Sequence, residues 1–263
     1  MRIARYSAKS GVAFGVVGGD PADAASLTVR AIDGHPFAPF QVVGEEQPLL
    51  SVRLLSPVLP SKVVAIGRNY AEHAQEMGTE APEVPVVFLK PSTSVIGPRE
   101  AIRYPTGVSS DVHYEGELAV VIGRLCREVP AARAADVILG FTCGNDVTAR
   151  DLQRVEPQWG RAKGFDTFCP IGPWIETDAP SFADDLEVTT TVNGELRQKG
   201  RTSQMMHGVA ALVAHVSEAM TLLPGDVILT GTPAGVGPLT VGDEVAVTIE
   251  GIGTLTNPVA SRA

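Results

Sequence analysis

Cysteine is scarce in this 263-residue chain: Cys126, Cys143 and Cys169 are the whole complement. An odd number without C-x-x-C spacing excludes a disulfide framework and a cysteine-based zinc site. The three are expected to be small buried apolar residues in a reducing compartment. Long apolar runs are missing too, and no stretch approaches the ~20 residues that a membrane-spanning helix requires. Met1-Arg2-Ile3-Ala4-Arg5-Tyr6 lacks the apolar core of a secretory signal. The expected setting is therefore the cytoplasm, with no membrane partner. Basic runs are absent, and the formal net charge is -9. Duplex binding relies on clustered Lys and Arg, so nucleic acid is not an expected partner. There is no H-E-x-x-H, no Gly-Lys-Ser/Thr phosphate loop and no G-x-G-x-x-G.

What the chain has is Gly (27), Pro (20) and many short apolar β-branched runs, the composition of a strand-and-turn protein. Residues 1–55 read as a small β domain. Arg2–Tyr6 and Val12–Val17 flank a Ser7–Gly11 turn, and Ser26–Ile32 ends at Asp33-Gly34. Leu54–Pro60 is a proline-bearing connection into residues 56–263. There Lys62–Ile66 is a strand, Asn69 is a candidate N-cap for a helix over Tyr70–Met77 with Glu72 as capping-box partner, and Thr79–Pro85 is loose. Val86–Leu89, Glu115–Ile122 and Leu139–Cys143 are strands, with a short helix at Ala131–Ile138. Leu186–Val192 and Glu195–Gln198 form a hairpin about Asn193-Gly194, which suits a type I′ turn. Ser203–Met220 is the longest amphipathic helix, with Met205, Val209, Leu212, Val213, Val216 and Met220 on one face as core packing. Strands at Val227–Thr230, Val245–Ile249 and Thr254–Val259 complete an α+β, predominantly β, chain.

The most telling residues are Glu115 and Glu117. Two apart on a strand, they share a face, roughly 6–7 Å apart at their Cα atoms. Like charges so placed repel and lose hydration if the face is half-buried. Either the face is wet and the pair harmless, or a hard divalent cation sits between them. Asp146 is open in the same way. It caps a helix and pairs with Arg150 four residues on, or it supplies a third carboxylate. Three carboxylates with open positions suit Mg²⁺ or Mn²⁺ better than zinc. His73 and Glu76, three apart on a helix, are within hydrogen-bonding reach. They form a general-base pair or a casual surface contact. Thr230–Gly237 is a turn, or a source of N–H groups and a hydroxyl for a carboxylate. Lys163 is an anion ligand or a surface charge.

Together these segments resemble the fumarylacetoacetate hydrolase family, and within it bacterial 2-hydroxyhepta-2,4-diene-1,7-dioate isomerases and acylpyruvases. The residues that carry the resemblance are Ala65-Ile66-Gly67-Arg68-Asn69-Tyr70 with His73 and Glu76, and Tyr114-Glu115-Gly116-Glu117-Leu118. They continue with Asn145-Asp146-Val147-Thr148-Ala149-Arg150-Asp151-Leu152-Gln153, Lys163-Gly164-Phe165-Asp166, and Pro224-Gly225-Asp226 through Gly237. They run in order from about Leu54 to Val259. The resemblance implies a mixed β-roll catalytic domain (56–263) behind an accessory β domain, in a homodimer. It implies that Glu115, Glu117 and Asp146 hold Mg²⁺ or Mn²⁺, that His73 and Glu76 are the catalytic pair on a lid, and that Arg150, Gln153, Lys163 and Thr232 contact substrate. Lys163 and Gln153 would help hold an oxyanion. The implied substrate is a small 2-oxo (2-hydroxy-enoic) mono- or dicarboxylate. It would react through a metal-bound enolate by C–C hydrolysis, tautomerisation or decarboxylation. The alternative is a non-catalytic β-rich binding protein with a structural cation.

Overall fold

The computed structural model describes residues 1–8, 11–78, 80, 82–178 and 183–262. The expected Ser7–Gly11 turn and the loose stretch Thr79–Pro85 include Lys9, Ser10, Thr79 and Ala81, which lie outside the described residues.

The fold is predominantly β, as the turn-rich composition implies. Its centre is the strand Gly116–Ile122, every residue of which is buried. Its apolar run Leu118–Ile122 needs cover on both faces, and it has it. Leu118, Val120 and Ile122 face a core that includes Leu212, Val213 and Val216 of the helix Val209–Ala219. Ala119 and Val121 face the other way, against Ile171, Ile175 and Leu229. Gly116–Ile122 pairs antiparallel with Ile138–Asn145 on one side and with Val227–Leu229 on the other. Val227–Leu229 in turn runs parallel to Val63–Gly67, whose other neighbour is Val86–Lys90.

Cys169–Glu176 continues this sheet beyond Ile138–Asn145, and Arg2–Ala8 continues it further through Arg2↔Glu176 and Ile3↔Ile175. The N-terminal strands Arg2–Ala8, Gly11–Gly18 and Thr28–Asp33 form a meander on that edge. Their cluster of Tyr6, Val17, Val29 and Leu49 includes Trp174 from the later chain. Among the described residues this large sheet has 13 strands. A second sheet, Ile102–Tyr104, Gly253–Ser261, Glu244–Ile249, Glu187–Val192 and Glu195–Arg201, packs against it. Its hairpin turns at Asn193 (φ 54) and Gly194 (φ 80), both in the left-handed region that a type I′ turn demands.

Three local expectations are corrected. The long helix begins at Val209 rather than Ser203; Thr202–Gln204 is a single 3₁₀ turn. Met205 therefore lies off the helix, where it bridges to Tyr70. Gly208, the N-cap, is extended, so the helix starts after it although the apolar spacing runs back to Met205. Asn69 is not a helix cap either. The cap position is Tyr70, and no side chain bonds there. The Asn69 amide instead donates to the carbonyls of Thr230 and His207 and accepts from His207 N–H. It ties three segments together, so its hydrogen bonds go to partners far away in sequence. The expected helix at Ala131–Ile138 is 3₁₀ over Ala131–Asp136.

Candidate active site

The register of the central pair explains how three carboxylates meet. Gly116 pairs with Asn145 and Glu117 with Gly144, so Glu115 stands opposite Asp146, and Asp146 N–H donates to Glu115 C=O at 2.9 Å. Residues opposite each other across a ladder share a face, as do residues two apart along a strand. Glu115, Glu117 and Asp146 thus converge at the end of one strand pair, their nearest carboxylate oxygens all within 4.8 Å of one another. All three are buried, so the wet-face reading of Glu115 and Glu117 does not hold. Gly231, with φ 97, lets the chain after Leu229 turn close enough for its N–H to reach Glu117 Oε2 at 2.8 Å. A Cβ there would come within 2.7 Å of Asn69 Cβ.

Buried cations surround the cluster. Lys163 Nζ donates to Asp146 Oδ2 at 2.5 Å, Glu115 Oε2 at 3.0 Å and Thr148 Oγ1 at 2.9 Å. Lys90 Nζ donates to Asp146 Oδ1 at 2.5 Å and to the carbonyl of Lys163. Arg150 Nη2 lies 2.5 Å from Glu115 Oε1, while Nη1 donates to Gln153 Oε1 at 2.7 Å. Arg150 therefore pairs with Glu115, not with Asp146 as helix spacing suggested. Asp146 caps no helix: it follows the strand Ile138–Asn145, and the next helix starts at Arg150 with Ala149 in the cap position.

The environment drives two neighbouring carboxyls apart. For Glu115, burial pushes the pKa up, but Lys163 and Arg150 outweigh it and hold the carboxyl well below the usual range. For Glu117, burial again pushes upward, and the charges of Asp146 and Glu115 add to it, so this carboxyl lies well above the usual range. Lys163 is raised: burial works against its charge, and Asp146 and Glu115 prevail.

The residues present fit a hard dication. The donors are carboxylate oxygens only, their separation is within what one ion can span, and the repulsion that Asp146 and Glu115 exert on Glu117 is what a cation placed among them would relieve. A carboxylate offers about four acceptor sites, so an oxygen that accepts from Lys163 can still face an ion.

Glu115 and Glu117 open onto a cavity of about 260 Å³, also lined by His73, Arg150, Gln153, Lys163 and Thr232. Asp146 does not line it; it lies beneath, under Lys90 and Lys163. His73 is buried on the short helix Ala71–Glu76, and its Nδ1 is 3.0 Å from Glu76 Oε2. Gly235 N–H donates to Glu76 at 3.1 Å, fastening this helix to the segment after Leu229. Thr232 Oγ1 donates to Gly116 C=O at 2.8 Å and accepts from Gln198 Nε2 at 2.7 Å. Lys90, Thr148 and Gln198 escaped the sequence reading. For Lys90 the signal was a lysine closing the otherwise apolar run Val86–Leu89.

A buried acidic cluster beside a His–Glu pair thus opens on a cavity lined by charged and polar side chains. Comparison with known proteins gives the class. The profile described as "Fumarylacetoacetate (FAA) hydrolase C-terminal" matches residues 62–260, and "Rv2993c-like, N-terminal" matches residues 1–57. The chain belongs to the fumarylacetoacetate hydrolase family. It is 57% identical over 263 residues to Protein Rv2993c of Mycobacterium tuberculosis, covering 100% of this chain and 99% of that one. It is 43% identical over 223 residues to the oxaloacetate tautomerase YisK of Bacillus subtilis, covering 80% of this chain and 74% of YisK. The crystal structure of 2-hydroxyhepta-2,4-diene-1,7-dioate isomerase from Mycobacterium marinum superimposes with a TM-score of 0.93 at 53% identity, covering 100% of this chain and 99% of that one. The chain is an enzyme of this family. Among its described residues no helix is long and apolar enough to cross a membrane.

Proposed function

We propose that this enzyme binds Mg²⁺ or Mn²⁺ at Glu115, Glu117 and Asp146 and acts on a small 2-oxo or 2-hydroxy-enoic acid. The reactions in view are keto–enol tautomerisation or isomerisation, decarboxylation, and C–C hydrolysis. The observation that carries this is the opening of two of the three buried carboxylates onto a cavity shared with His73. A cation with a purely structural role is enclosed by protein ligands; one that meets substrate faces open space. Bound there, the cation supplies a Lewis acid that draws electrons from the substrate's 2-oxo group.

The chain's own residues do the rest. The Glu76 carboxylate accepts from Nδ1–H of His73, which leaves the lone pair of the neutral ring on Nε2. In tautomerisation that nitrogen takes a proton from the carbon beside the oxo group and returns it to oxygen or to another carbon. In hydrolysis it takes the proton from water. Arg150 has a buried Nε with no hydrogen-bond partner among the described residues, a donor left for the substrate's carboxylate. Lys163, fixed by three hydrogen bonds, and Gln153 present positive charge and an amide where negative charge develops on oxygen. Thr232 is held in place by Gln198 and Gly116 and also lines the cavity. We extend the same family-based reading to a homodimeric assembly in the cytoplasm.

The test is turnover of oxaloacetate, acylpyruvates and a 2-hydroxy-dienedioate by purified protein with Mg²⁺, with Mn²⁺ and with EDTA. The reading expects cation-dependent turnover of at least one of them. Full activity in EDTA, or no turnover of any with either cation, contradicts it.

A further inference from the structure

Arg68 is an unassigned cation in the cavity wall. The other arginines and the lysine that line this cavity each pair with a carboxylate. Arg150 pairs with Glu115, Lys163 with Glu115 and Asp146, and Arg154 with Asp111 at 2.6 Å. Arg68 has no carboxylate partner among the described residues; its guanidinium lies over the ring of Trp159, 5.5 Å from the centroid. A guanidinium held over an aromatic face leaves its edge N–H groups free to donate. That is the geometry that receives a carboxylate in a two-point fashion.

The platform is built, not incidental. Gly67 leaves the space that Trp159 fills; a Cβ at that position would come within 2.5 Å of the indole ring. Phe88 packs edge-on against the same indole, with centroids 5.4 Å apart. Arg68 itself takes φ 58, a left-handed conformation that costs a non-glycine residue energy and that turns the chain between the strand Val63–Gly67 and the helix bearing His73. Trp159 C=O accepts from Lys163 N–H at 3.0 Å, so the platform is also the start of the turn that carries Lys163.

Charge accounts for the role. In number, Lys90, Lys163 and Arg150 match the three carboxylates, pairing with Asp146 and Glu115. A bound dication would add two positive charges, and a 2-oxo monocarboxylate would cancel only one of them. Arg68 adds another positive charge, uncancelled, at the cavity wall. We propose that Arg68, stacked on Trp159, is a specificity-determining residue that takes the second carboxylate of a 2-oxo dicarboxylate. Its partner end is the 2-oxo acid group at the acidic cluster. The inference rests on the reading of the preceding section and narrows its substrate class to dicarboxylates.

The test compares ligands that differ only in the second carboxylate: oxaloacetate against 2-oxobutanoate, and 2-oxoglutarate against 2-oxopentanoate. Each is titrated by calorimetry into Mg²⁺-loaded wild-type protein and into R68Q, whose melting temperature is measured alongside. A charge-assisted contact predicts that R68Q loses about 10- to 100-fold in affinity for the dicarboxylate preferred by the wild type. Its matched monocarboxylate should change less than about twofold by the same reasoning. Equal loss for both members of a pair overturns the proposal, because it assigns Arg68 and Trp159 a purely structural role. Unchanged dicarboxylate affinity also overturns it. If neither class binds the wild-type protein with Mg²⁺ present, the reading of the cavity as a 2-oxo acid site falls as well.

Discussion

Replacing Glu117 with glutamine separates the two roles that its position combines. Glu117 sits within 4.8 Å of the Glu115 and Asp146 carboxylates. At that spacing each like-charge pair costs at least about 3.5 kcal/mol for an effective dielectric near 20. In the metal-free protein this cost is relieved by holding a proton, hence the upward displacement of its pKa. The sign follows from linkage. The unfolded chain loses this proton near pH ~4.3 while the folded chain holds it to higher pH, so the folded state binds more protons above that value and stability falls as pH rises. Glutamine is nearly isosteric, still accepts from Gly231 N–H, and does not titrate. We expect metal-free E117Q to be about 1–3 kcal/mol more stable than wild type at pH 7, allowing for imperfect packing, with Tm up by roughly 2–10 °C. With Mg²⁺ at about 100 times its Kd the wild type should gain about 2.7 kcal/mol. E117Q, short of one anionic ligand, should gain less than about a third of that. Differential scanning fluorimetry from pH 5 to 8, with EDTA or with Mg²⁺, reads both effects. A variant that is less stable than wild type in EDTA and shifts normally with Mg²⁺ would refute the reasoning.

Two further outcomes are expected. H73A should lose about 10²–10⁴-fold in turnover of whichever substrate the enzyme accepts. Its Mg²⁺-induced Tm shift should stay at the wild-type value, because His73 is not a ligand; loss of that shift would show the roles to be wrong. D226A should destabilise the protein by about 3–5 kcal/mol. Asp226 is buried and accepts from the N–H groups of Ser61, Lys62 and Leu223, from the Ser61 hydroxyl and from Lys62 Nζ. Burial pushes its pKa up, but these donors outweigh it and hold the carboxyl below its usual value. The stability it adds is therefore present above its unfolded pKa of about 3.9 and lost as pH falls below that. A chemical-denaturation series showing the same acid sensitivity in D226N as in wild type would count against this account.

The triad was legible in sequence because strand parity alone puts Glu115 and Glu117 on one face. The order of motifs along the chain then supplied Asp146. What strand parity does not supply is register. Only the pairing of Gly116 with Asn145 places Asp146 opposite Glu115. The same gap explains the errors. Arg150 is four residues from Asp146, and helix spacing favours that pair; the chain is not helical between them, so the guanidinium reaches Glu115 across the ladder instead. Asn69 precedes a helix and looks like its cap, yet its amide spans to Thr230 and His207, more than a hundred residues away. Lys90 closes a strand and carries no local signal of burial, because its place beside Asp146 depends on the neighbouring turn that carries Lys163. Short-range patterns locate strands and same-face pairs. Contacts set by topology are invisible to them.

The most direct measurement is anomalous diffraction from crystals grown with Mn²⁺. The account predicts a single strong peak about 2.0–2.2 Å from oxygens of Glu115, Glu117 and Asp146, on the cavity side of the cluster. A peak elsewhere, or a cluster that stays bridged by Lys163 with no ion between its carboxylates, would contradict it.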